Sequence, residues 1–187
     1  MSSTNRGAKR AAYDFYATPL DVVEKLLAVE DISSAKTILE PSAGKGNICQ
    51  VIRENGGGNI KLDAVEIRSE EEEVLKQYCD DVIMGDFLTI DIDKKYDLII
   101  GNPPFSHAMQ FIQKSMDLLE EDGKLIFLLR TAFLESKSRY QFWQDNPLSN
   151  LFVLAKRPSF DGISTDSTSY SWFIWDKKTM KQKIKVI

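Results

Sequence analysis

The chain has 187 residues, 43% of them hydrophobic and 28% charged, with a formal net charge of -4. One core suffices for a chain of this length, and the composition excludes a disordered or collagen-like polymer. The longest apolar runs, such as Leu125 to Leu129, fall far short of the ~20 residues that span a bilayer.

The start, Met1 to Arg10, is polar and basic and lacks the apolar stretch of a secretory signal. A cytoplasmic location is therefore expected, with residues 1–12 flexible ahead of a single domain covering 1–187. Apolar and β-branched runs then alternate with helical patterns, the signature of a parallel α/β sheet. A helix is predicted over 20–29, after Pro19, with Val22, Val23, Leu26 and Leu27 on one stripe. A strand at 37–39 leads to a helix at 47–55, which Gly56 to Gly58 should stop, because three glycines cost too much entropy inside regular structure. A strand at 62–66, a helix at 70–78 and strands at 81–84 and 96–100 follow. The helix predicted over 108–120 carries Ala108, Phe111, Ile112, Ser115, Leu118 and Leu119 on one side. Asp122-Gly123 turns it into a strand at 124–129. A short helix at 140–144 and strands at 151–155 and 170–175 complete seven predicted strands.

Charge is unevenly spread. Residues 1–122 carry 13 Lys/Arg against 23 Asp/Glu, whereas 123–187 carry 11 against 5. A phosphate-facing surface built from Lys137, Arg139, Lys156, Arg157 and the Lys177 to Lys185 run would account for the split, as would a solvated tail. Cys49 and Cys79 stand isolated from each other, in a chain with one histidine. No metal site is expected, and both should pack as small apolar residues.

The candidate chemistry sits at strand ends. Glu40-Pro41-Ser42-Ala43-Gly44-Lys45-Gly46-Asn47 runs from a buried strand through small residues into a helix start, where a ligand can approach the backbone. It lacks the third glycine of the dinucleotide fingerprint and the Gly-Lys-Ser/Thr of a phosphate loop. Glu66 ends the second strand, placed to accept from ribose hydroxyls. Gly85-Asp86-Phe87 follows the third, offering a carboxylate to an exocyclic adenine amine and a ring to stack on it. After the fourth strand comes Asn102-Pro103-Pro104-Phe105, where two prolines remove donors and stiffen the turn. The Asn102 side-chain oxygen and the Pro103 carbonyl can then both accept from one planar amino group, with Phe105 stacked on its ring.

These motifs resemble the S-adenosylmethionine-dependent N6-adenine DNA methyltransferases, and among them the short phage-type enzymes. The resemblance rests on Glu40, Pro41, Ala43, Gly44 and Gly46 for the cofactor loop and on Asn102 to Phe105 for the catalytic motif. Asp14-Phe15-Tyr16-Ala17-Thr18-Pro19 resembles an N-terminal Tyr-x-Thr-Pro motif that contacts the methionine part of the cofactor. The resemblance implies a Rossmann-like class I methyltransferase fold, its seven-stranded, mostly parallel sheet carrying an antiparallel C-terminal strand. It also implies that Tyr16, Thr18, Pro19, Asn47, Glu66, Asp86, Phe87 and Asn102 serve the cofactor. Arg157-Pro158-Ser159-Phe160 resembles a substrate-side loop, with Phe160 a second face for the base and Arg157 beside it.

Such enzymes usually carry a target-recognition domain, and here only 131–149 and 156–170 are spare. Recognition is then short and permissive, or a partner protein supplies it. Similar Asn-Pro-Pro motifs occur in enzymes acting on RNA bases or protein glutamine amides. A non-catalytic S-adenosylmethionine-binding subunit is the reading from another class, against which the intact Asn102, Pro103 and Phe105 stand. His107, two residues past the motif, is assigned no role as a base, because the product ammonium can lose its proton to water.

Overall fold

The computed structural model describes residues 17–55, 59–160 and 162–178. Residues 1–12, Tyr16 and the Gly56 to Gly58 stop lie outside the described residues. Within them, in chain order, are α1 (Leu20–Leu27), β1 (Thr37–Glu40), α2 (Asn47–Asn55), β2 (Lys61–Glu66), α3 (Glu72–Leu75), β3 (Asp81–Met84) and β4 (Tyr96–Gly101). There follow α4 (Ala108–Leu118), β5 (Leu119–Arg130), α5 (Tyr140–Asp145), β6 (Asn150–Val153) and β7 (Tyr170–Asp176). The strands form a seven-stranded sheet in the order β3-β2-β1-β4-β5-β7-β6. β1 to β5 pair in parallel, and β7 lies antiparallel between β5 and β6. The expected mostly parallel sheet with an antiparallel last strand is therefore present. No helix among the described residues is long and apolar enough to cross a membrane.

The continuous apolar runs of the strands are explained by burial on both faces. Alternate residues go to opposite sides. Ile38, Leu98, Ile100, Ile126, Leu128, Trp172 and Ile174 pack with Val23, Leu26 and Ile52 of α1 and α2. Leu39, Ile99, Leu125, Phe127, Phe173 and Trp175 pack with Phe111, Ile112 and Trp143 of α4 and α5. Trp143 stacks on Trp175 with planes 2° apart and centroids at 6.2 Å, which anchors the short α5. Truncating one of these fully buried side chains, such as Leu125→Ala, costs about 2–5 kcal/mol.

Three expectations come out differently. The helix expected over 70–78 is a 3-10 turn at Ser69–Glu71 followed by the four-residue α3. Four consecutive glutamates repel one another there, and only Leu75 of α3 is buried. β5 begins at Leu119, earlier than expected, because Leu119 pairs with Tyr96. The register then jumps to Leu98↔Lys124, so Asp122 and Gly123 sit in a bulge within the strand. The cysteines, expected to be isolated, share one core cluster. Arg53 Nε in α2 donates to Tyr78 O at 2.8 Å, drawing the segment after α3 against α2. Cys79 packs against the core cluster that holds the fully buried Cys49, and the neighbouring thiol together with burial pushes the Cys49 thiol well above its ordinary range.

The chain winds outward from β1 to β3, then returns to lay β4 on the other side of β1. In open α/β sheets that reversal leaves a crevice at the carboxyl ends of the two central strands, where ligands bind. Here those ends carry the Glu40 loop and the Asn102 corner.

Candidate active site

Past Glu40 the backbone folds into a tight cradle. Ala43 N–H donates to Val65 O at 3.0 Å, and Gly46 N–H donates back to Ala43 O at 2.8 Å. Gly44 and Gly46 have φ of 55° and 79°, a region costly for residues with a Cβ. A Cβ on Gly46 would also stand 3.1 Å from Leu75 Cδ2. Asn47, opening α2, donates through Nδ2 to Thr18 O at 2.8 Å. That bond draws the buried Thr18, with Pro19 at the head of α1, over the loop.

Glu66 is the hub of the next strand end. Its Oε2 accepts Gly44 N–H at 2.6 Å, and its Oε1 accepts Arg68 N at 3.0 Å and Arg68 Nε at 3.1 Å. Arg68 also pairs with Glu71 at 3.1 Å. A carboxylate has about four lone-pair sites, and three are in use. One ribose hydroxyl fits without disturbance, and a second requires one of these donors to yield. Sequence reasoning missed Arg68, whose only signal was a cation two residues past the acidic strand end.

Glu40 is 1% exposed. Its Oε1 faces Ser42 N at 3.3 Å, and its buried Oε2 has no hydrogen-bond partner among the described residues. Burial raises its carboxyl well above the ordinary 4.5. At the third strand end Asp86 Oδ1 accepts Leu88 N–H at 2.9 Å, fixing a turn behind Gly85 at φ 145°. Phe87 is only 2% exposed and packs on Phe111 with centroids 5.0 Å apart.

These strand ends enclose a cavity of about 530 Å³, a size usual for small-molecule and cofactor sites. Thr18, Glu40, Gly44, Glu66 and Asp86 line it, and Asn102 and Pro104 close it on the β4 side. Pro41, Ala43, Asn47 and Phe87 are also on its wall, whereas Gly46 and Pro19 are not. Ile67 and His107 line it as well. The exposed Ile67 was missed because it reads as an ordinary surface residue. A glycine cradle, an unmatched buried carboxylate oxygen and ribose-type acceptors fit S-adenosylmethionine.

The corner after β4 has two sides. Asn102 is half-buried, Pro103 is buried, and Pro104 O accepts His107 N–H at 2.9 Å to form the 3-10 turn Phe105–His107. Ser106 Oγ and His107 Nδ1 are 2.9 Å apart. Phe105 turns away from the large cavity and lines a second one of about 200 Å³. The Arg130 guanidinium lies 4.8 Å from the centroid of the Phe105 ring, and Tyr170 packs at 5.5 Å. Tyr170 in turn meets Phe160 at 5.1 Å, so Tyr170 joins the two predicted substrate-side rings. Burial raises the Tyr170 phenol, which donates to Asp166 Oδ2 at 2.9 Å. Arg157 is exposed and spans its loop by donating to Ser167 O at 3.3 Å.

One part of the expected basic surface is misplaced. β7 runs antiparallel, so its end points to the opposite edge of the sheet. There Lys177 Nζ donates to Met116 O and Glu120 O at 3.3 and 3.4 Å, far from the corner. Residues 179–187 lie outside the described residues.

Residues 15–160 match the methyltransferase small domain family. The chain is 32% identical over 145 residues to the type II methyltransferase M.CvrRI of Paramecium bursaria Chlorella virus XZ-6E, covering 65% of this chain and 37% of that protein. It is 25% identical over 149 residues to the type II methyltransferase M.TthHB8I of Thermus thermophilus, covering 63% and 34%. The chain thus spans little more than a third of the length of these curated relatives. Among solved structures, a dimethyladenosine transferase from Plasmodium falciparum superposes with a TM-score of 0.64 at 16% identity, covering 87% of this chain and 63% of that one. The fold, the glycine cradle and the family match agree: the chain belongs to the methyltransferase small domain family and has the class I methyltransferase fold, whose cofactor is S-adenosylmethionine.

Proposed function

We propose that this methyltransferase acts on the exocyclic N6 amino group of adenine in DNA. One observation carries the reading: the Asn102-Pro103-Pro104-Phe105 turn borders both cavities, with Asn102 and Pro104 on the cofactor-sized one and Phe105 on the other. A rigid turn of this kind can hold an amine at the mouth of the first while its ring rests toward the second.

Bound in the large cavity, S-adenosylmethionine supplies an electrophilic sulfonium methyl. Glu66 would accept from its ribose and Asp86 from its adenine amine, while Glu40, Thr18 and Asn47 would shape the space for its methionine part. Proline at 103 and 104 leaves no backbone donor there. The Asn102 side-chain oxygen and the Pro103 carbonyl then act as acceptors for one amino group. A conjugated amine is a poor nucleophile, and two fixed acceptors favour the pyramidal form whose lone pair can attack. Phe105 stacks on the ring of a base flipped from its helix. The proton of the product passes to water, so neither His107 nor any other base is required. Positioning of this kind can be worth ~7 to 11 kcal/mol.

The type II methyltransferase relatives support a DNA substrate. The chain covers little more than a third of each; within it, we assign contact with the target to the segments at 131–149 and 156–170. The test is transfer of an isotope-labelled methyl to DNA, RNA and a glutamine-containing protein in parallel. Label in DNA, recovered as N6-methyladenine after digestion, is expected; label in RNA or protein alone overturns the reading.

A further inference from the structure

We propose that Tyr170 is a positioning residue that ties the segment carrying Phe160 to the Asn102 corner, so that Phe105 and Phe160 are offered to the target base as one fixed aromatic pair. The inference rests on the reading of that corner as the place where the base is held.

Tyr170 opens β7 in register with Arg130 at the end of β5. It is 0% exposed and so touches no substrate itself. Its ring meets two others, Phe105 with centroids 5.5 Å apart and planes tilted by 49°, and Phe160 at 5.1 Å, edge-on at 71°. Aromatic pairs in this range contribute beyond the area they bury and favour particular mutual orientations. Arg130 joins the group, with its guanidinium 4.8 Å from the Phe105 centroid and a hydrogen bond to the Tyr170 phenol.

The hydroxyl is the part that needs a reason. A phenylalanine would keep both ring contacts, and a buried hydroxyl costs stability unless it is bonded. Here it donates to Asp166 Oδ2 at 2.9 Å. Asp166 Oδ1 accepts Thr168 N–H at 3.0 Å, and Asp166 N–H donates to Pro158 O at 3.0 Å. Asp166 thereby fastens the buried Pro158, two residues before Phe160, to the head of β7. The stretch Ser164 to Ser169 is polar throughout and supplies no apolar side chain to anchor this segment. The bond from phenol to carboxylate does so instead.

The experiment compares Tyr170→Phe, Asp166→Ala, the double variant and Asp166→Asn in transfer of labelled methyl to the acceptor that the wild type labels, beside amide hydrogen exchange. Tyr170→Phe keeps the rings and loses only the tether. It should raise the acceptor KM about tenfold, the size of one hydrogen bond to a charged group, and leave the KM for S-adenosylmethionine at the wild-type value. A general loosening of the fold would move both. Exchange at the Asp166 and Thr168 amides should quicken, whereas the Leu154 N–H, bonded to Tyr170 O at 3.0 Å, should exchange as in the wild type. Asp166→Ala should match Tyr170→Phe, and the double variant should be no worse than either. Asp166→Asn keeps an oxygen to accept from the phenol and should restore most of the loss. A wild-type acceptor KM in Tyr170→Phe, or single effects that multiply in the double variant, overturns the tether. Should Tyr170→Phe fail to fold, Asp166→Ala at its half-buried position decides in the same way. Asn102→Ala separates the two readings. Full transfer in that variant sinks the corner, whereas a wild-type acceptor KM in Tyr170→Phe beside an inactive Asn102→Ala sinks the tether alone.

Discussion

Gly101 and Glu40 are fitted to each other: a Cβ built on Gly101 would stand 2.6 Å from Glu40 Oε1. The last residue of β4 thus makes room for the carboxylate that ends β1. Gly101→Ala strikes the tip of a side chain rather than backbone, so the chain should fold with a loss of about 1–2 kcal/mol. The displaced carboxylate loses its place over Ser42, and cofactor affinity should drop about tenfold, equivalent to ~1.4 kcal/mol. Thermal unfolding and calorimetric titration with S-adenosylhomocysteine check the two effects separately.

Glu40 also sets a pH dependence. Burial raises its carboxyl above the ordinary 4.5, so the folded state holds the proton more tightly than the unfolded chain. The stability this group contributes is present in full below its unfolded value and is lost as pH rises through the raised one. Glu40→Gln removes that loss. The Tm of Glu40→Gln minus that of the wild type should therefore grow as pH is raised from about 4 toward 8, whereas a difference independent of pH would show that Glu40 ionises without penalty.

Arg68 holds Glu66 through its main-chain N–H and Nε, at 3.0 and 3.1 Å. Charge-assisted bonds of this type contribute about 1.5–3 kcal/mol. Arg68→Ala should weaken S-adenosylhomocysteine binding roughly tenfold or more while kcat at saturating cofactor changes little. Glu66→Ala should do more, because it also releases the Gly44 N–H bonded at 2.6 Å.

Much of this was legible in the residues. The Glu40, Glu66, Asp86 and Asn102 positions follow from strand ends and small-residue turns, and the sheet does bring all four to one cavity. What escaped depends on long-range contacts. Cys49 and Cys79, 30 positions apart in sequence, share one core cluster while Arg53 holds the Tyr78 carbonyl, and no local pattern records that. β5 starts early because Tyr96 offers Leu119 a ladder partner. Phe87 reads as a stacking ring, and it both lines the cavity and packs on Phe111 in the core. Arg130 follows the strand expected at 124–129 and Tyr170 starts another, and only the pairing of β5 with β7 reveals that they flank Phe105.

The direction of β7 yields a prediction of its own. Lys177 sits at the edge opposite the corner, tied to Met116 O and Glu120 O. Lys177→Gln should leave both methyl transfer and the salt slope of nucleic-acid binding at wild-type values; a slope lowered by about 0.7 would place this lysine on a phosphate after all.

The most direct measurement compares wild type with Asn102→Ala for transfer of labelled methyl to adenine in DNA, alongside the Kd for S-adenosylhomocysteine. Transfer should fall by at least a thousandfold, about 4 kcal/mol in the barrier, while the Kd stays within a few-fold. Undiminished transfer in the variant would contradict the assignment of the Asn-Pro-Pro-Phe corner as the place where the amine is held.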